Sequence, residues 1–488
     1  ACLMMRRADF VKVGGFGFEW EPAYYEDVDL CLKLWTQCGK VKVNPAARVV
    51  HIESKTTSDR ALQLQNISEI NRARFVEKWG DWLEERQTRH LADLDHTARA
   101  ERDEVSGTDL ELLLGPPART ALPQFVLFSP YPLVPGGGER VMFELAAHLS
   151  ERVGVENVIF STPQRYSALR MRQLATTFGF EHVVGTPLPF AEVDPVRCRF
   201  AVVLGNSIIP PTRAFGHRSV YQLQFPFWMP DAEVEKRAAW LGEYDEVWVY
   251  SDFVRHHVNG LARHYGLDCP PIRVIAPPAT WSGATRGLPW ADRRTILSVG
   301  RFFAGGHNKR QDVVIEAFRE LVRGGRDDME LALAGSIHPS AEGRERFHEL
   351  QRTAKGLRCR FYPNVSRQDL AALYGRSAVL IHAAGYGVDP DEFPETLEHF
   401  GITPVEAASF GCIPVVYGQA GPAEVVRSLG LSTVFSTVEE CATTVSGLLH
   451  DRAGSSALSE LLFERSSLYS AEAFRRRVDE SMADLGVP

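Results

Sequence analysis

The 488-residue sequence lacks the features that mark several large classes of protein. No uninterrupted apolar run approaches the roughly 18 residues that a membrane-spanning helix needs. The eight cysteines are scattered without a C-x-x-C pair, which argues against a zinc site or a disulfide framework and fits a reducing cytosol. Lys and Arg total 54 against 62 for Asp and Glu, so the chain has no basic field of the kind that binds nucleic acid.

Length and composition instead indicate an ordinary globular protein of several domains. Hydrophobic residues make up 44% and charged residues 24%, and at about 100 to 200 residues per domain the chain holds roughly three. A charged and then Pro/Gly-rich stretch that contains Gly115-Pro116-Pro117 predicts the first boundary. The predicted units are an N-terminal segment, a linker, two larger α/β domains and a C-terminal helix, at residues 1–85, 86–122, 123–285, 286–465 and 466–488.

Short apolar runs alternate with helical stretches through both larger units, which predicts βαβ units and parallel sheets. The predicted strands are 125–128, 158–160, 200–204, 220–223, 247–250, 272–275, 295–299, 330–334, 359–362, 379–382, 413–416 and 433–435. A polar stretch at 277–292 separates the two series. We therefore expect an active site between two α/β domains, at the carboxyl ends of both sheets.

The strongest chemical signal is a pair of glutamates in an E-x7-E spacing. Glu398 precedes a loop that contains Gly401, and Glu406 lies in the helix that follows, whose first turn includes Thr403-Pro404. Free amides at a helix start can hold an anion, and the two carboxylates could accept hydrogen bonds from hydroxyls of one ligand. A capped helix with two surface glutamates is the alternative, and it would be preferred for this pair alone.

Two cations and a glycine loop strengthen the ligand-binding interpretation. Arg301 follows the first strand of the second domain and Lys309 lies in the next loop, so both belong to the carboxyl edge of that sheet. An Arg fork and a Lys point charge suit a diphosphate, although a solvated basic loop would explain them equally well in isolation. In the first domain, Gly136, Gly137 and Gly138 would let backbone amides approach a phosphate or a sugar, or would form a tight turn.

Together these segments resemble a family 4 glycosyltransferase of GT-B fold, over nearly all of residues 123–488. The resemblance rests on the strand, glycine loop and helix at 125–150, on Gly300-Arg301 with Lys309, on Pro363-Asn364-Val365-Ser366, on the E-x7-E pair and on Gly421-Pro422-Ala423-Glu424. It implies an α/β fold of two Rossmann-like domains whose parallel sheets face each other across a cleft.

The resemblance also implies roles for individual residues in a retaining transferase. Glu406 would bind the ribose of a nucleotide, and Glu398 would contact the donor sugar. Arg301 and Lys309 would neutralise the diphosphate leaving group, which makes a metal ion or other cofactor unnecessary. Further contacts with the nucleotide sugar would come from Gly401, Ile402, Thr403, Gly136, Gly137, Gly138 and Val365.

One position departs from the family pattern. Many members carry a His near the donor sugar, whereas this sequence has Gln224, which can form hydrogen bonds but cannot titrate. Phe227 and Trp228, which follow it, either form an apolar rim for the acceptor or belong to the core.

Other residues invite a metal interpretation that we do not favour. Asp389 and Asp391 form a D-x-D, but it lies in a Pro-rich loop, which we interpret as part of the rim of the site. His256, His257 and His382 lack a second ligand at metal spacing, so we expect each to be hydrogen-bonded or exposed.

The first 85 residues resemble the C-terminal portion of a family 2 glycosyltransferase of GT-A fold, on the segments 1–7, 13–16, 24–32 and 49–51. The resemblance implies that Asp27 is the general base of an inverting transfer, while favourable charge at a helix N-terminus is the alternative. We predict strands at 1–5 and 47–52 and a helix at 25–37. The family's metal-binding D-x-D would lie upstream, so we expect an incomplete, inactive domain from a longer chain, with Mg²⁺ or Mn²⁺ needed only if it were complete.

The sequence thus predicts a retaining glycosyltransferase that moves a sugar from a nucleotide-sugar donor to a glycan or lipid-linked acceptor, in polysaccharide or cell-surface glycan synthesis. The alternative is a catalytically inactive module that binds nucleotide sugars or acts as a scaffold. A dinucleotide oxidoreductase is disfavoured because G-x-G-x-x-G is absent. The predicted location is the cytoplasm, with peripheral association at the inner face of the cytoplasmic membrane as a further possibility.

Overall fold

The computed structural model describes residues 3–20, 24–39, 41, 71–80, 82–83, 124–133, 137–163, 166, 168–180, 185–281, 283–285, 287–303, 305, 308–338 and 340–487. The predicted strand at 47–52 and the predicted linker at 86–122 lie outside these residues. The chain divides into two compact units, Ala1–Pro117 with Ser167–Thr176 and Ala118–Tyr166 with Thr177–Pro488.

The described part of the first unit is helical. Its helices are Arg7–Lys12, Glu26–Gln37, residues 71–80 and Ala168–Thr177. The strand predicted at 1–5 is wrong, since Leu3–Arg6 has no regular structure and Met4 is 94% exposed. An apolar run becomes a strand only when a neighbouring strand pairs with it, and the described residues of this unit contain none.

The second unit contains two parallel sheets, which confirms the predicted α/β fold. The first sheet has the order β3-β2-β1-β4-β5-β6-β7, and the second has the order β10-β9-β8-β11-β12-β13. The strands are β1 (Gln124–Phe128), β2 (Val158–Thr162), β3 (Thr186–Pro189), β4 (Cys198–Gly205), β5 (Arg218–Leu223), β6 (Glu246–Val249), β7 (Ile272–Val274), β8 (Thr295–Val299), β9 (Glu330–Gly335), β10 (Cys359–Pro363), β11 (Ser377–His382), β12 (Ile413–Tyr417) and β13 (Val434–Phe435). We call the two halves the first and second sheet domains.

Helices cover these sheets, and the central strands are buried along their length, as in other parallel sheets. Those of the first sheet domain are Gly137–Val153, Asp231–Arg237 and Asp252–Tyr265. Those of the second are Gln311–Arg323, Ala341–Thr353, Arg367–Arg376, Ile402–Ala408, Ala420–Ser428, Val438–His450 and Arg452–Arg465. Among the described residues, no helix is long and apolar enough to cross a bilayer.

The sequence analysis missed β3, whose residues are Thr-Pro-Leu-Pro. Proline has no amide hydrogen to donate to a ladder, so two prolines argue against a central strand. β3 forms the edge of the first sheet and pairs only with β2, and an edge strand tolerates the missing donors.

The C-terminal helix Ala471–Asp484 leaves the second sheet domain and packs on the first. Arg475 forms ion pairs with Glu144 and Glu151, both at 2.8 Å. Ser481 is fully buried and accepts a hydrogen bond from Trp248 Nε1 at 3.0 Å. Within the predicted C-terminal segment at 466–488, the α-helix spans Ala471–Asp484, and a 3₁₀ turn, Ser466–Tyr469, precedes it.

A buried arginine fixes the start of the second sheet domain. Arg293 is 4% exposed, and its guanidinium donates to the carbonyl oxygens of Leu288, Ser377 and Phe410, each at 2.9 Å. Burial lowers the pKa of this guanidinium. One side chain thus ties the linker before β8 to β11 and to the end of the helix Ile402–Ala408.

We expect Arg293→Leu to destabilise the second sheet domain by about 3 kcal/mol, because three buried carbonyl groups lose their donor at about 1 kcal/mol each. Thermal unfolding measures the effect as a fall in Tm. Arg294→Leu is the matched control, because Arg294 is exposed and such surface changes stay within about 0.5 kcal/mol. Equal melting temperatures for the two variants would contradict this role.

Candidate functional site

Three polar side chains meet at the carboxyl edge of the second sheet. Strands β8 and β11 are neighbours there, so the loop after β8 that carries Lys309 lies beside His382, the last residue of β11. Glu398 lies further along the chain from β11, and its Oε2 forms an ion pair with Lys309 Nζ. The structure therefore brings together two of the predicted catalytic residues, Lys309 and Glu398.

The charges of this cluster are strongly coupled. Burial by itself would raise the pKa of Glu398, but the Lys309 ammonium and the nearby His382 lower it to about 2. Burial lowers the pKa of His382 to about 4; Glu398 acts in the opposite direction and Lys309 adds to the lowering. Near neutral pH the Glu398 carboxylate is therefore ionised and the His382 imidazole is neutral.

The histidine gives the protein an acid sensitivity that can be measured. Its pKa is 6.5 ordinarily and about 4 in the folded protein, so between these values the unfolded chain binds a proton that the folded chain does not. Stability is therefore lost as pH falls from 6.5 to 4. Glu398, with pKa lowered from 4.5 to about 2, adds a further loss below 4.5.

We expect the Tm of His382→Leu, measured relative to the wild type, to rise as pH falls from 6.5 to 4, and to be constant above this window. The variant cannot take up this proton in its unfolded state, so it escapes the histidine's share of the acid loss. Thermal unfolding across a pH series provides the measurement. A difference in Tm that does not depend on pH would show that His382 titrates normally.

Glu406, the second glutamate of the pair, is buried in the helix Ile402–Ala408. Its Oε2 accepts a hydrogen bond from Tyr374 Oη at 2.9 Å. Burial raises the pKa of Glu406, against the lowering effects of this bond and of the Arg140 and Arg367 charges. Arg140 belongs to the helix Gly137–Val153, so charge from the first sheet domain reaches this carboxylate of the second.

Aromatic packing holds the surroundings of Glu406 in place. Tyr374 stacks on Phe410 with a centroid distance of 5.7 Å, and Trp281 packs edge-on against Tyr374 at 5.9 Å. The guanidinium of Arg367 lies over the Trp281 ring, 4.0 Å from its centroid. Val365 lies just before Arg367 and lines an open cavity of about 640 Å³.

Gly137 and Gly138 begin the helix Gly137–Val153, and Gly137 faces the start of the helix Ile402–Ala408. A Cβ added to Gly137 would lie 3.7 Å from Ile402 Cδ1, and one added to Gly138 would lie only 1.9 Å from Gln224 Nε2. Gly138 thus leaves room for Gln224, the residue that departs from the family pattern. Gly136 lies outside the described residues.

The remaining predicted contacts occupy the start of that helix or the end of β8. Gly401 precedes the helix with φ 101°, a conformation that favours glycine, and Thr403 is half-buried in its first turn. Arg301 is exposed, and its carbonyl accepts a hydrogen bond from Gln311 Nε2 at 3.1 Å. The Arg301 guanidinium forms no ion pair with the described residues, so it is not part of the Lys309–Glu398 pair.

Several contacts across the cleft were missing from the sequence analysis. Ser251 Oγ donates to the carbonyl oxygen of His399 at 2.6 Å, and the His399 ring stacks on Phe225 at 3.8 Å. The Glu424 carboxylate accepts hydrogen bonds from the backbone amides of Asp252 and Phe253, at the start of the helix Asp252–Tyr265. Glu424 lies in a segment that the resemblance had singled out, but its sequence gives no sign of a partner in the other domain.

The aromatic and acidic residues at the rim have distinct positions. Trp228 is 80% exposed, so it is not a core residue, and Phe227 is 38% exposed. Asp389 Oδ1 accepts the amides of Asp391, at 2.9 Å, and of Glu392, at 3.3 Å, which closes a turn. Within the part of the chain that the structure describes, no group of three or more His, Cys, Asp or Glu side chains is placed to hold a metal ion.

The expectation of a hydrogen-bonded or exposed side chain is correct for His256 and wrong for His382, while His257 is half-buried. His256 is exposed, but His382 is 5% exposed and its Nδ1 has no hydrogen-bond partner among the described residues. The sequence could not show this, because burial of a strand-terminal histidine depends on the loops that cover it.

In the first unit, Asp27 and Asp29 of the helix Glu26–Gln37 lie in different environments. Asp29 is fully buried, where it contacts Lys33 Nζ at 3.0 Å, Lys78 Nζ at 2.8 Å and Trp79 Nε1 at 2.8 Å. Burial alone would raise the pKa of Asp29, but these donors lower it. Asp27 is half-buried in the first turn of its helix and accepts the amide of Val28 at 2.8 Å, so its role as a base stays a prediction.

Comparisons with known proteins point to one group of enzymes. Residues 286–461 match the sequence profile of the family described as Glycosyl transferases group 1. A curated relative, the GDP-Man:Man(3)GlcNAc(2)-PP-Dol alpha-1,2-mannosyltransferase of Dictyostelium discoideum, is 26% identical over 216 residues. That match covers 42% of this chain and 40% of the relative, so the similarity spans well under half the length of either protein.

Among solved structures, the chain is similar to Anabaena HepE. The complex of HepE with UDP aligns with a TM-score of 0.53 at 12% identity, over 74% of this chain and 100% of HepE. The complex with UDP and glucose aligns with a TM-score of 0.52 over the same shares. At this identity the likeness shows the fold alone, which is that of the GT-B glycosyltransferases. The family 4 and family 2 resemblances stay predictions.

Proposed function

We propose that this protein is a glycosyltransferase that takes a sugar from a nucleotide-sugar donor and transfers it with retention of configuration. The acceptor is a glycan or a lipid-linked saccharide, in polysaccharide or cell-surface glycan synthesis. The curated relative is named for a GDP-mannose donor and a dolichol-linked acceptor, and HepE binds UDP and glucose. Both names support a nucleotide sugar, but they differ in the base and in the sugar.

The observation that carries the proposal is the set of charges in one cleft. Lys309 and Glu398 lie together at the edge of the second sheet, and Glu406 lies buried within reach of the Arg140 and Arg367 charges. In our proposal Glu406 accepts the ribose hydroxyls, Glu398 contacts the sugar, and Lys309 and Arg301 stabilise the negative charge that develops on the diphosphate. Preorganised cations at such a position act without a metal ion.

Backbone amides at the starts of two helices are further proposed contacts with the ligand. Gly137 faces Ile402 of the second sheet domain, so we place backbone amides of both sheet domains near one ligand. Gly136, Gly401, Thr403 and Val365 remain proposed contacts on the strength of the resemblance alone. No step of the proposal depends on Asp27.

The test uses the full chain with UDP-glucose, GDP-mannose and their free nucleotides. We expect calorimetric binding of at least one nucleotide sugar, release of its nucleoside diphosphate with a saccharide acceptor, and a product with the anomeric configuration of the donor by NMR. Inversion would contradict the retaining mechanism. Failure to bind any nucleotide or nucleotide sugar would overturn the assignment.

A second candidate function is an inactive module that binds nucleotide sugars. It is favoured by Gln224, which packs against the glycine loop where many relatives have a titratable His. Binding of a donor without release of its nucleotide, across glycan and lipid-linked acceptors, would support this alternative.

A further inference from the structure

His382 is a buried histidine at the carboxyl edge of the second sheet. It ends β11 and lies 95% buried beside the charged pair of Lys309 and Glu398, although no part of the proposed mechanism uses it. Its exposed fraction is 5%, and Nδ1 has no hydrogen-bond partner among the described residues. In the ladder with β12, His382 is paired with Val416, at the end of the strand where ligands of parallel sheets bind.

A buried polar atom without a partner is costly. Leaving it unpaired destabilises the folded state, and most buried polar atoms in folded proteins have a partner. An aliphatic side chain would avoid this cost, and the neighbouring strand residues Leu380 and Ile381 are fully buried aliphatic side chains. An unpaired histidine at the edge of a binding cleft is therefore best explained by a partner that arrives with the ligand.

The chemistry of the ring indicates what that partner is. A neutral imidazole nitrogen either accepts or donates a hydrogen bond, depending on the tautomer. A hydroxyl group can also do both, whereas a phosphate only accepts and an ammonium only donates. Lys309 and Glu398 already supply a fixed donor and a fixed acceptor beside the ring. A neutral group that can take either role complements them in the recognition of hydroxyls.

We propose that His382 binds a hydroxyl group of the donor's sugar ring through Nδ1 and so contributes to the choice of sugar. The inference rests on the proposed function, because it assigns the residue to the same donor site. It extends that function by naming a residue that distinguishes the sugar from the nucleotide. Sites that hydrogen-bond a substrate hydroxyl reject analogues that lack it, because their own polar groups are then left unpaired.

The test compares three substitutions by calorimetry with UDP-glucose, GDP-mannose, UDP and GDP. For the nucleotide sugar that the wild type prefers, we expect His382→Leu to weaken binding about 10- to 100-fold, and to leave UDP and GDP unchanged. His382→Asn places an amide atom where Nδ1 lies and should retain most of the affinity. His382→Gln is the matched control, because its amide reaches the position of Nε2 instead, and it should behave like His382→Leu.

Thermal unfolding separates this role from a structural one. Because leucine removes an unpaired buried polar atom, His382→Leu should melt at or above the wild-type temperature near neutral pH. A lower Tm with undiminished preference for the sugar would overturn the inference, and so would an equal loss of affinity for UDP or GDP. Wild-type protein that binds UDP or GDP but gains nothing from the sugar would also overturn it while leaving the nucleotide site intact. Absence of all binding would overturn the proposed function as well.

Discussion

Replacing Lys309 with alanine is expected to lower kcat by about 100- to 1000-fold, the usual cost of removing one preorganised group that stabilises charge in a transition state. The side chain is half-buried and its ammonium pairs with Glu398. A donor diphosphate would compete for this ammonium, and negative charge grows on the diphosphate as the sugar departs. The loss should therefore appear mainly in kcat, measured by steady-state release of nucleoside diphosphate.

Two further variants, Lys309→Arg and Arg301→Ala, test whether positive charge at this site supports kcat. Lys309→Arg keeps the charge in a larger, planar group and should recover part of kcat. Arg301 is exposed and outside the pair, so Arg301→Ala should lower kcat without lowering Tm. Arg360→Ala is the matched control, because Arg360 is an exposed arginine on β10 of the same sheet. A wild-type kcat in Lys309→Ala would contradict the proposed neutralisation of the leaving group.

Glu406→Ala is expected to weaken donor binding about 10- to 100-fold, the value of a hydrogen bond to a charged acceptor. Glu406 accepts one bond from Tyr374, so its carboxylate has further lone pairs for ribose hydroxyls. Removal of the carboxylate also leaves the Arg367 guanidinium without the charge that favours its ionised form. Calorimetry with UDP and GDP, as well as with their sugars, measures the change.

The nucleotide series distinguishes Glu406 from His382. Because ribose is common to all four ligands, Glu406→Ala should weaken them by similar factors, whereas His382→Leu should affect only the nucleotide sugars. Tyr374→Phe is the control for packing, since it removes the Tyr374 hydroxyl and keeps the stacked ring. An unchanged Kd for UDP in Glu406→Ala would contradict the ribose role.

The parallel sheets could be predicted because each strand carries its own signal. A run such as Val379 to Ile381 is apolar along its length, as expected for a strand covered on both faces. β3 was not predicted, because the evidence for it is not local. Two prolines are acceptable only in an edge strand, and β3 is recognised as an edge strand only from its pairing with β2. The strand predicted at Leu3 and Met4 was wrong for the opposite reason. Its local apolar pattern is present, but no described strand pairs with it, and both side chains stay exposed.

The site could be predicted only in part for a related reason. Lys309 and Glu398 follow neighbouring strands, so chain order and sheet topology suffice to place them together. The bonds from Glu424 to the helix Asp252–Tyr265, and from Ser251 to His399, depend on how two domains pack, which no local pattern encodes. The burial of His382 is likewise set by distant loops, and it reverses the expectation drawn from the sequence.

The C-terminal helix also constrains how the protein is made. Domains generally fold in the order in which the ribosome produces them. Here Trp248, on the first sheet, donates to Glu246 on its own strand and also to Ser481, which lies in a helix that is translated only after the entire second sheet. A nascent chain that has completed both sheets therefore still exposes the part of the first sheet domain that the helix Ala471–Asp484 covers. The earlier-made domain reaches its final structure last, together with the domain that follows it.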